Sequence, residues 1–243
     1  MTLVSRRAVL AGGAAIVAPA RPDFFDGQTV LAGGREIVLT DILAPSSAAL
    51  WGGAEPWSEM ASEALRKIRA SGTLVSERMN SLDRWGRAAG AAHWRHADGR
   101  ETTLQEALLA EGAARVHPQS DDAAMLDRYF AAEDAARGAR RGLWALDAYA
   151  IRNADDARAA FGFQIYHGKV RSASNRRGRI FFNFGEDFRT DLTATLTQGA
   201  FGRWRRKDLI ETYAGLTIEV RGLVERINGP SIELAHERQL RLL

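Results

Sequence analysis

Beyond the first 26 residues, apolar positions either alternate with polar ones or recur at three- and four-residue spacing, and Gly, Pro and Asp-Gly steps punctuate the runs. Residues 28–31 and 36–43 read as two strands around a Gly33-Gly34 turn. Trp57, Ala61, Ala64, Leu65 and Ile68 fall on one helical face, and Gly72 stops that helix. Residues 73–79 alternate as a strand. Gly86 and Arg87 turn the chain into a strand over 88–94, and Asp98-Gly99 predicts a hairpin turn. Thr103 opens a helix that carries Leu104, Ala107 and Leu108 inward and ends at Gly112. A further helix over 123–140 buries Leu126, Tyr129, Phe130 and Ala136, and Leu143-Trp144 folds back after Gly142. Strands, helix, strands, helix, helix is the order of a small antiparallel barrel with helices on its flank, an α+β arrangement.

The remaining chain changes character. Residues 147–160 are rich in Ala, Asp and Arg without an apolar stripe and read as a linker. Residues 161–243 are nearly all strand: 163–170, 179–184, 191–197, 216–224 and 231–242. Gly178, Gly185, Gly215 and Gly229-Pro230 separate them, and a short helical piece over 205–213 follows the third run. Five strands with a helix between the third and fourth is the order of an OB-like β-barrel. Residues 1–20 read as a leader. Arg6 and Arg7 precede a short apolar run over 8–18, and Ala18-Pro19-Ala20 offers small residues at a cleavage site. The stretch Ser5-Arg6-Arg7-Ala8-Val9-Leu10 looks like a twin-arginine signal, which implies a periplasmic or secreted bacterial protein. The apolar run is too short to span a membrane.

Composition adds two constraints. The chain has no cysteine, which excludes disulfides and thiolate metal sites. The net charge of +3 is unevenly spread: residues 161–243 hold 14 Lys and Arg against 9 Asp and Glu, whereas 1–160 hold 19 against 21. The excess lies beside aromatics in the second module, a pattern suited to nucleic acid or another polyanion. In 176–184, Arg176, Arg177 and Arg179 precede or interleave with Phe181, Phe182 and Phe184. Phe182 and Phe184 share one strand face and Phe181 takes the other. Phe182 and Phe184 are the candidate stacking residues; the alternative places all three rings in the core. Arg203, Trp204, Arg205, Arg206 and Lys207 form a second basic-aromatic cluster. Arg221 and Asn183 read as polar structural contacts. Among the histidines, His93 and His96 face opposite sides of a strand, and His117, His167 and His236 are isolated, so no histidine metal site is expected.

The first module, 24–146, resembles the thermonuclease family, the staphylococcal-nuclease-like OB barrel. The resemblance rests on Asp26-Gly27-x-Thr29-Val30, Val38-Leu39-x-x-Ile42-x-Ala44-Pro45 and the 57–68 helix. It continues through Asp83-x-x-Gly86-Arg87, Leu104-x-x-x-Leu108-x-x-x-Gly112-x-Ala114-x-Val116 and Gly142-Leu143-Trp144. The family cleaves phosphodiesters with calcium, and the resemblance implies two carboxylates on the metal, a glutamate that activates water and two arginines on the phosphate. Position by position, this chain has Gln28 and Leu43 where the metal aspartates are implied, Ser46 for the glutamate and Val38 for the first arginine. Arg87 alone remains. It either binds a phosphate without cleaving it or holds its turn with Asp83 as local partner. In an unbulged strand Asp41 would share a face with Leu43 and offer a displaced carboxylate. Arg35 reads as a solvated hairpin residue, and Glu55 and Glu59 as solvated or helix-end charges.

The expected protein is thus an exported thermonuclease-family chain with a degenerate site, acting as a nucleic-acid or polyanion binder or as an envelope interaction protein, with no cofactor. The enzymatic alternative is a metal-dependent phosphodiesterase that uses calcium on relocated ligands such as Asp41 with Arg87. A pure interaction scaffold is the third.

Overall fold

A computed structural model of the chain describes residues 27–32, 35–47, 53–82, 87–157, 162–187, 189–204 and 210–243. The leader reading and the Arg205, Arg206 and Lys207 cluster fall outside these residues.

Strand β1 (Thr29–Ala32) pairs antiparallel with β2 (Arg35–Leu39), with Thr29 opposite Val38. The run expected to continue through residue 43 breaks at Thr40 and Asp41. Asp41 adopts φ 65°, and the chain resumes as the two-residue β3 (Ile42–Leu43). Helix α1 (Ser58–Ala70) follows and buries Ala61, Leu65 and Ile68, the stripe that the spacing predicts. Strand β4 (Gly72–Leu82) runs longer than expected. Register shifts against β5 (Ala88–His96) between Leu74 and Ser76 and between Met79 and Ser81 break the alternation that a sequence reading follows. Strand β6 (Glu101–Thr103) leads into α2 (Leu104–Ala110), capped by the Thr103 hydroxyl, which accepts from the Glu106 N–H at 3.1 Å. Strand β7 (Arg115–Val116) pairs with β3, and α3 (Ala123–Gly138) starts at an Asp122 cap. The main sheet runs β1-β2-β5-β4 with β6 on β5; β2 and β5 form its parallel pair.

Gly112 and Gly142 adopt φ 63° and 57°, and their backbones meet: the Leu143 N–H donates to Gly112 O at 2.9 Å. A Cβ on Gly142 would lie 2.3 Å from Gly112 O, so only glycine closes this contact. Leu143 is thereby delivered into the interior with no exposed surface.

Residues 147–157 hold a 3-10 turn (Asp147–Tyr149) and the short β8 (Arg152–Asn153), and Ala154 and Ala157 are buried in the core of the second unit. That unit comprises β9 (Gly162–Lys169), β10 (Ser172–Arg176), β11 (Arg179–Asn183), β12 (Thr193–Thr197), α4 (Gln198–Arg203), β13 (Thr217–Arg226), β14 (Pro230–Glu233) and β15 (Leu240–Leu242). Its sheet order is β10-β11-β12-β14-β13-β9-β8, with β15 on β13 and a parallel β12–β14 pair. β9 and β10 are successive halves of one bent strand, whose Val170 and Arg171 amides donate to Leu216 O and Asn183 O at 2.8 Å each. One half pairs with β13 and the other with β11, which closes the sheet into an OB-like barrel. The helix after the third barrel strand is α4, earlier than the expected 205–213, with a 3-10 turn at Ile210–Tyr213. β10 escaped the sequence reading because Ser-Ala-Ser-Asn-Arg offers a single apolar residue.

The two cores meet across a charged seam. Arg221 of β13 has no exposed surface; it pairs with Glu133 of α3 at 2.8 Å, pairs with Glu219 and donates to Val116 O at 3.0 Å. Glu219 also meets Arg137 at 3.0 Å, His167 at 2.9 Å and Arg241 at 3.6 Å. The guanidinium of Arg221 lies 4.7 Å from the Phe130 ring centroid, and that of Arg241 lies 4.6 Å from it. Nearby, Arg115 donates to Phe163 O at 2.8 Å, and His117 meets the Phe163 ring edge-on at 5.2 Å. Burial alone would raise the Glu219 carboxyl, but the Arg221 and Arg137 guanidinia outweigh it and hold the pKa down at about 2.

Candidate functional site

The end of the first barrel where the family's metal would sit is built from Gln28, the 40–46 turn and the start of β5. Gln28 is fully engaged. Its Nε2 donates to Leu39 O at 3.0 Å and Ile42 O at 2.9 Å, and its Oε1 accepts from the Ala44 N–H at 3.2 Å. An amide has both donors and an acceptor, so it can clip the two sides of the turn together. A carboxylate here would face two carbonyl oxygens.

Asp41 is committed to the 117–120 loop. Its left-handed backbone takes it out of strand parity, so the expectation that it shares a face with Leu43 fails. The side chain has no exposed surface, and its Oδ1 accepts from the Gln119 and Ser120 amides at 2.7 and 2.8 Å. Its charge anchors the 117–120 loop. Leu43 stands opposite Arg115 in the β3–β7 pair, and Val38 is half-buried beside Ala89.

Ser46 and Glu55 clamp each other: the Ser46 N–H donates to Glu55 Oε2 at 2.9 Å, and the Glu55 N–H donates to Ser46 O at 2.8 Å. Glu55 Oε1 accepts from Arg115 Nη2 at 3.1 Å within a nearly buried pair. Sequence reasoning reads Glu55 as a solvated or helix-end charge. It missed Arg115 as its partner, which lies 60 positions away in sequence. Arg115 is sandwiched near Tyr149 and Phe163, at 4.8 and 5.0 Å from their ring centroids. Glu59 is exposed in the first turn of α1. Arg87 is half-buried and immediately precedes β5; its expected partner Asp83 and the Arg35 side chain fall outside the described structure.

His117 and His236 line one cavity, whereas His96 and His167 take separate partners. His96 bonds Thr102, His167 bonds Glu219, and the His236 Nδ1 accepts from the Arg238 N–H. Burial, with Arg115 and Arg221 nearby, pushes His117 down to about 4 against the opposing pull of Asp41. Among the described residues no three His, Asp or Glu side chains gather as a metal cluster.

In the second barrel the strand that carries the aromatics is oriented opposite to the candidate choice. Ile180, Phe182 and Phe184 lie in the core, with Phe182 having no exposed surface, and Trp204 is buried against Phe201. Phe182, Phe184 and Trp204 therefore present no face for stacking. The alternation that buries them turns the half-buried Phe181 outward. Arg176 and Arg177 are exposed at the β10–β11 turn, where Arg177 and Gly178 adopt φ 52° and 79°. Arg179 lies on the outward face, bonded to Thr195 at 3.1 Å and Glu233 at 3.4 Å, and Arg203 is exposed at the end of α4. Arg205 falls outside the described residues. Arg221 is a structural contact, as expected, and Asn183 bonds Ser172 on the outward face.

These features define a mixed α+β protein with a helix-flanked OB-type barrel joined to a second, all-strand one. Residues 36–146 match the family described as staphylococcal nuclease homologue, and this segment is a nuclease-type domain of that family. The match ends before β8, so the second barrel lies outside it. No curated protein matches the chain.

Proposed function

We propose that this chain is an exported, non-hydrolytic polyanion-binding protein in which the nuclease-type domain has become a scaffold for the second barrel. One observation carries the reading: the atoms at the expected metal position are committed to holding the barrel together. The donor set does not fit a calcium ion. Calcium takes six to eight oxygens, with carboxylates among them. Gln28 offers one neutral oxygen already bonded to Ala44, Leu43 offers none, and the Asp41 carboxylate is held by the Gln119 and Ser120 amides. Arg87 supplies charge for a phosphate but no means of activating water, so binding without cleavage is the chemistry left to it.

The polyanion reading draws on the basic residues of the second barrel. Arg176, Arg177 and Arg203 are exposed, and Arg179 is partly so. Each phosphate neutralised on a single strand contributes about −0.7 to the slope of log K against log salt. Four arginine contacts predict a slope of roughly −3. Fluorescence anisotropy of a labelled single-stranded oligonucleotide between low and physiological salt measures it. The double variant Arg176→Gln/Arg177→Gln is expected to shallow the slope by about 1.4. An affinity independent of salt would remove the polyanion reading.

A further inference from the structure

The seam between the two units uses β9, β13 and β15, which leaves β10, β11 and β12 on the other side of the second barrel. Their outward residues are fixed by register. Ser174, Phe181 and Thr195 form one cross-strand row that Glu233 continues on β14. Ser172, Asn183, Thr193 and Ser231 form the row on one side of it. Arg176, Arg179 and Thr197 form the row on the other, with Arg177 at the adjoining turn. Among the described residues a single aromatic ring therefore sits in a polar face, between a row of hydroxyl and amide groups and a cluster of guanidinia.

We infer that this face is a binding site for single-stranded nucleic acid, with one base stacked on Phe181 and the flanking phosphates on Arg176, Arg177 and Arg179. The inference rests on the polyanion-binding reading and narrows it to one strand form and one surface. A partly exposed Phe with no aromatic neighbour on its face among the described residues gains little for the fold by pointing outward, whereas it gives an unpaired base a flat apolar partner. In the hydroxyl and amide row Ser172, Asn183 and Thr193 keep accessible surface and suit base edges, which vary in donor and acceptor pattern, whereas Ser231 is buried, as is Thr195 beside Phe181. A duplex hides its base faces within the stack and could use only the arginines.

The test uses the full chain and a 12-nucleotide single strand that carries 5-iododeoxyuridine, with a duplex of equal length and heparin as comparison polyanions. Irradiation is expected to cross-link the single strand to the peptide that contains Phe181. Phe181→Leu keeps an apolar residue but removes the ring, and is expected to weaken single-strand binding by roughly 5- to 150-fold. Duplex and heparin binding should stay within twofold, and Phe181→Tyr should restore the single-strand affinity. If Phe181→Leu binds the single strand like the parent, or the cross-link maps elsewhere while all polyanions still bind with salt dependence, this inference fails and the broader reading stands. If the parent binds none of the three, both fail.

Discussion

Arg221 is the most consequential buried charge in the molecule, and replacing it tests how the two barrels are joined. Its guanidinium has no exposed surface and meets Glu133 at 2.8 Å, Glu219, and Val116 O at 3.0 Å, with Phe130 beneath it. Arg221→Met fills much of the volume but removes the closer guanidinium from the Glu133 carboxylate, leaving it Arg137 at 3.9 Å. Glu219 keeps Arg137, Arg241 and His167, so most of the damage falls on Glu133. Breaking a buried pair by removing one partner costs about 3–5 kcal/mol. For a chain of this size, that is a fall in Tm of roughly 6–20 °C. Urea melts followed by circular dichroism measure the change. The double variant Arg221→Met/Glu133→Gln removes the stranded charge and keeps an acceptor for the Val116 N–H, so the pair should show a coupling energy of about 1–3 kcal/mol. A loss below about 0.5 kcal/mol for Arg221→Met, or strict additivity in the cycle, would refute the view that this pair locks the seam.

Gln28→Ala removes three hydrogen bonds from the 39–44 turn and should cost about 1–3 kcal/mol in the same melts. Gln28→Asp should also destabilise, because a carboxylate would face the Leu39 and Ile42 carbonyls. Gly142→Ala is expected to lose at least about 2 kcal/mol, from left-handed strain and the collision with Gly112 O. His117 is held near 4 against an ordinary 6.5, so the folded chain resists protonating it while the unfolded chain accepts the proton. Its contribution is whole above pH 6.5 and declines as the pH falls towards 4, by about 3 kcal/mol at most. Stability measured across that window should fall less steeply in His117→Leu. Glu219, held near 2, contributes fully above its ordinary value near 4.5, and that contribution is lost as the pH falls towards 2.

Where one local rule dominates, the sequence is readable. The α1 stripe, the start of α2 at Thr103 and the turn of the chain back into the core after Gly142 follow from spacing or backbone freedom, and the structure places them as read. Failures arise where distant partners decide. Asp41 looked like a strand residue with a spare carboxylate, but the amides that claim it lie 78 and 79 positions downstream. Glu55 looked solvated until Arg115 was brought beside it. Alternation correctly separated Phe181 from Phe182 and Phe184, yet could not say which side was core. The burial of Ile180 in the same period was the available clue. That Gln28, Leu43 and Ser46 stand where the resemblance implies carboxylates was legible directly. That Gln28 has a structural task of its own was not, since it depends on how tightly the 40–44 turn folds back on β1.

The central claim is that the nuclease-type domain no longer assembles a metal-dependent phosphodiesterase. Isothermal titration of the full chain with calcium, paired with a cleavage assay on single-stranded DNA in the same buffer, tests it directly. The expected result is no saturable calcium heat up to millimolar concentration and no strand scission above background. One-to-one calcium binding accompanied by cleavage that disappears in Arg87→Ala would contradict the account.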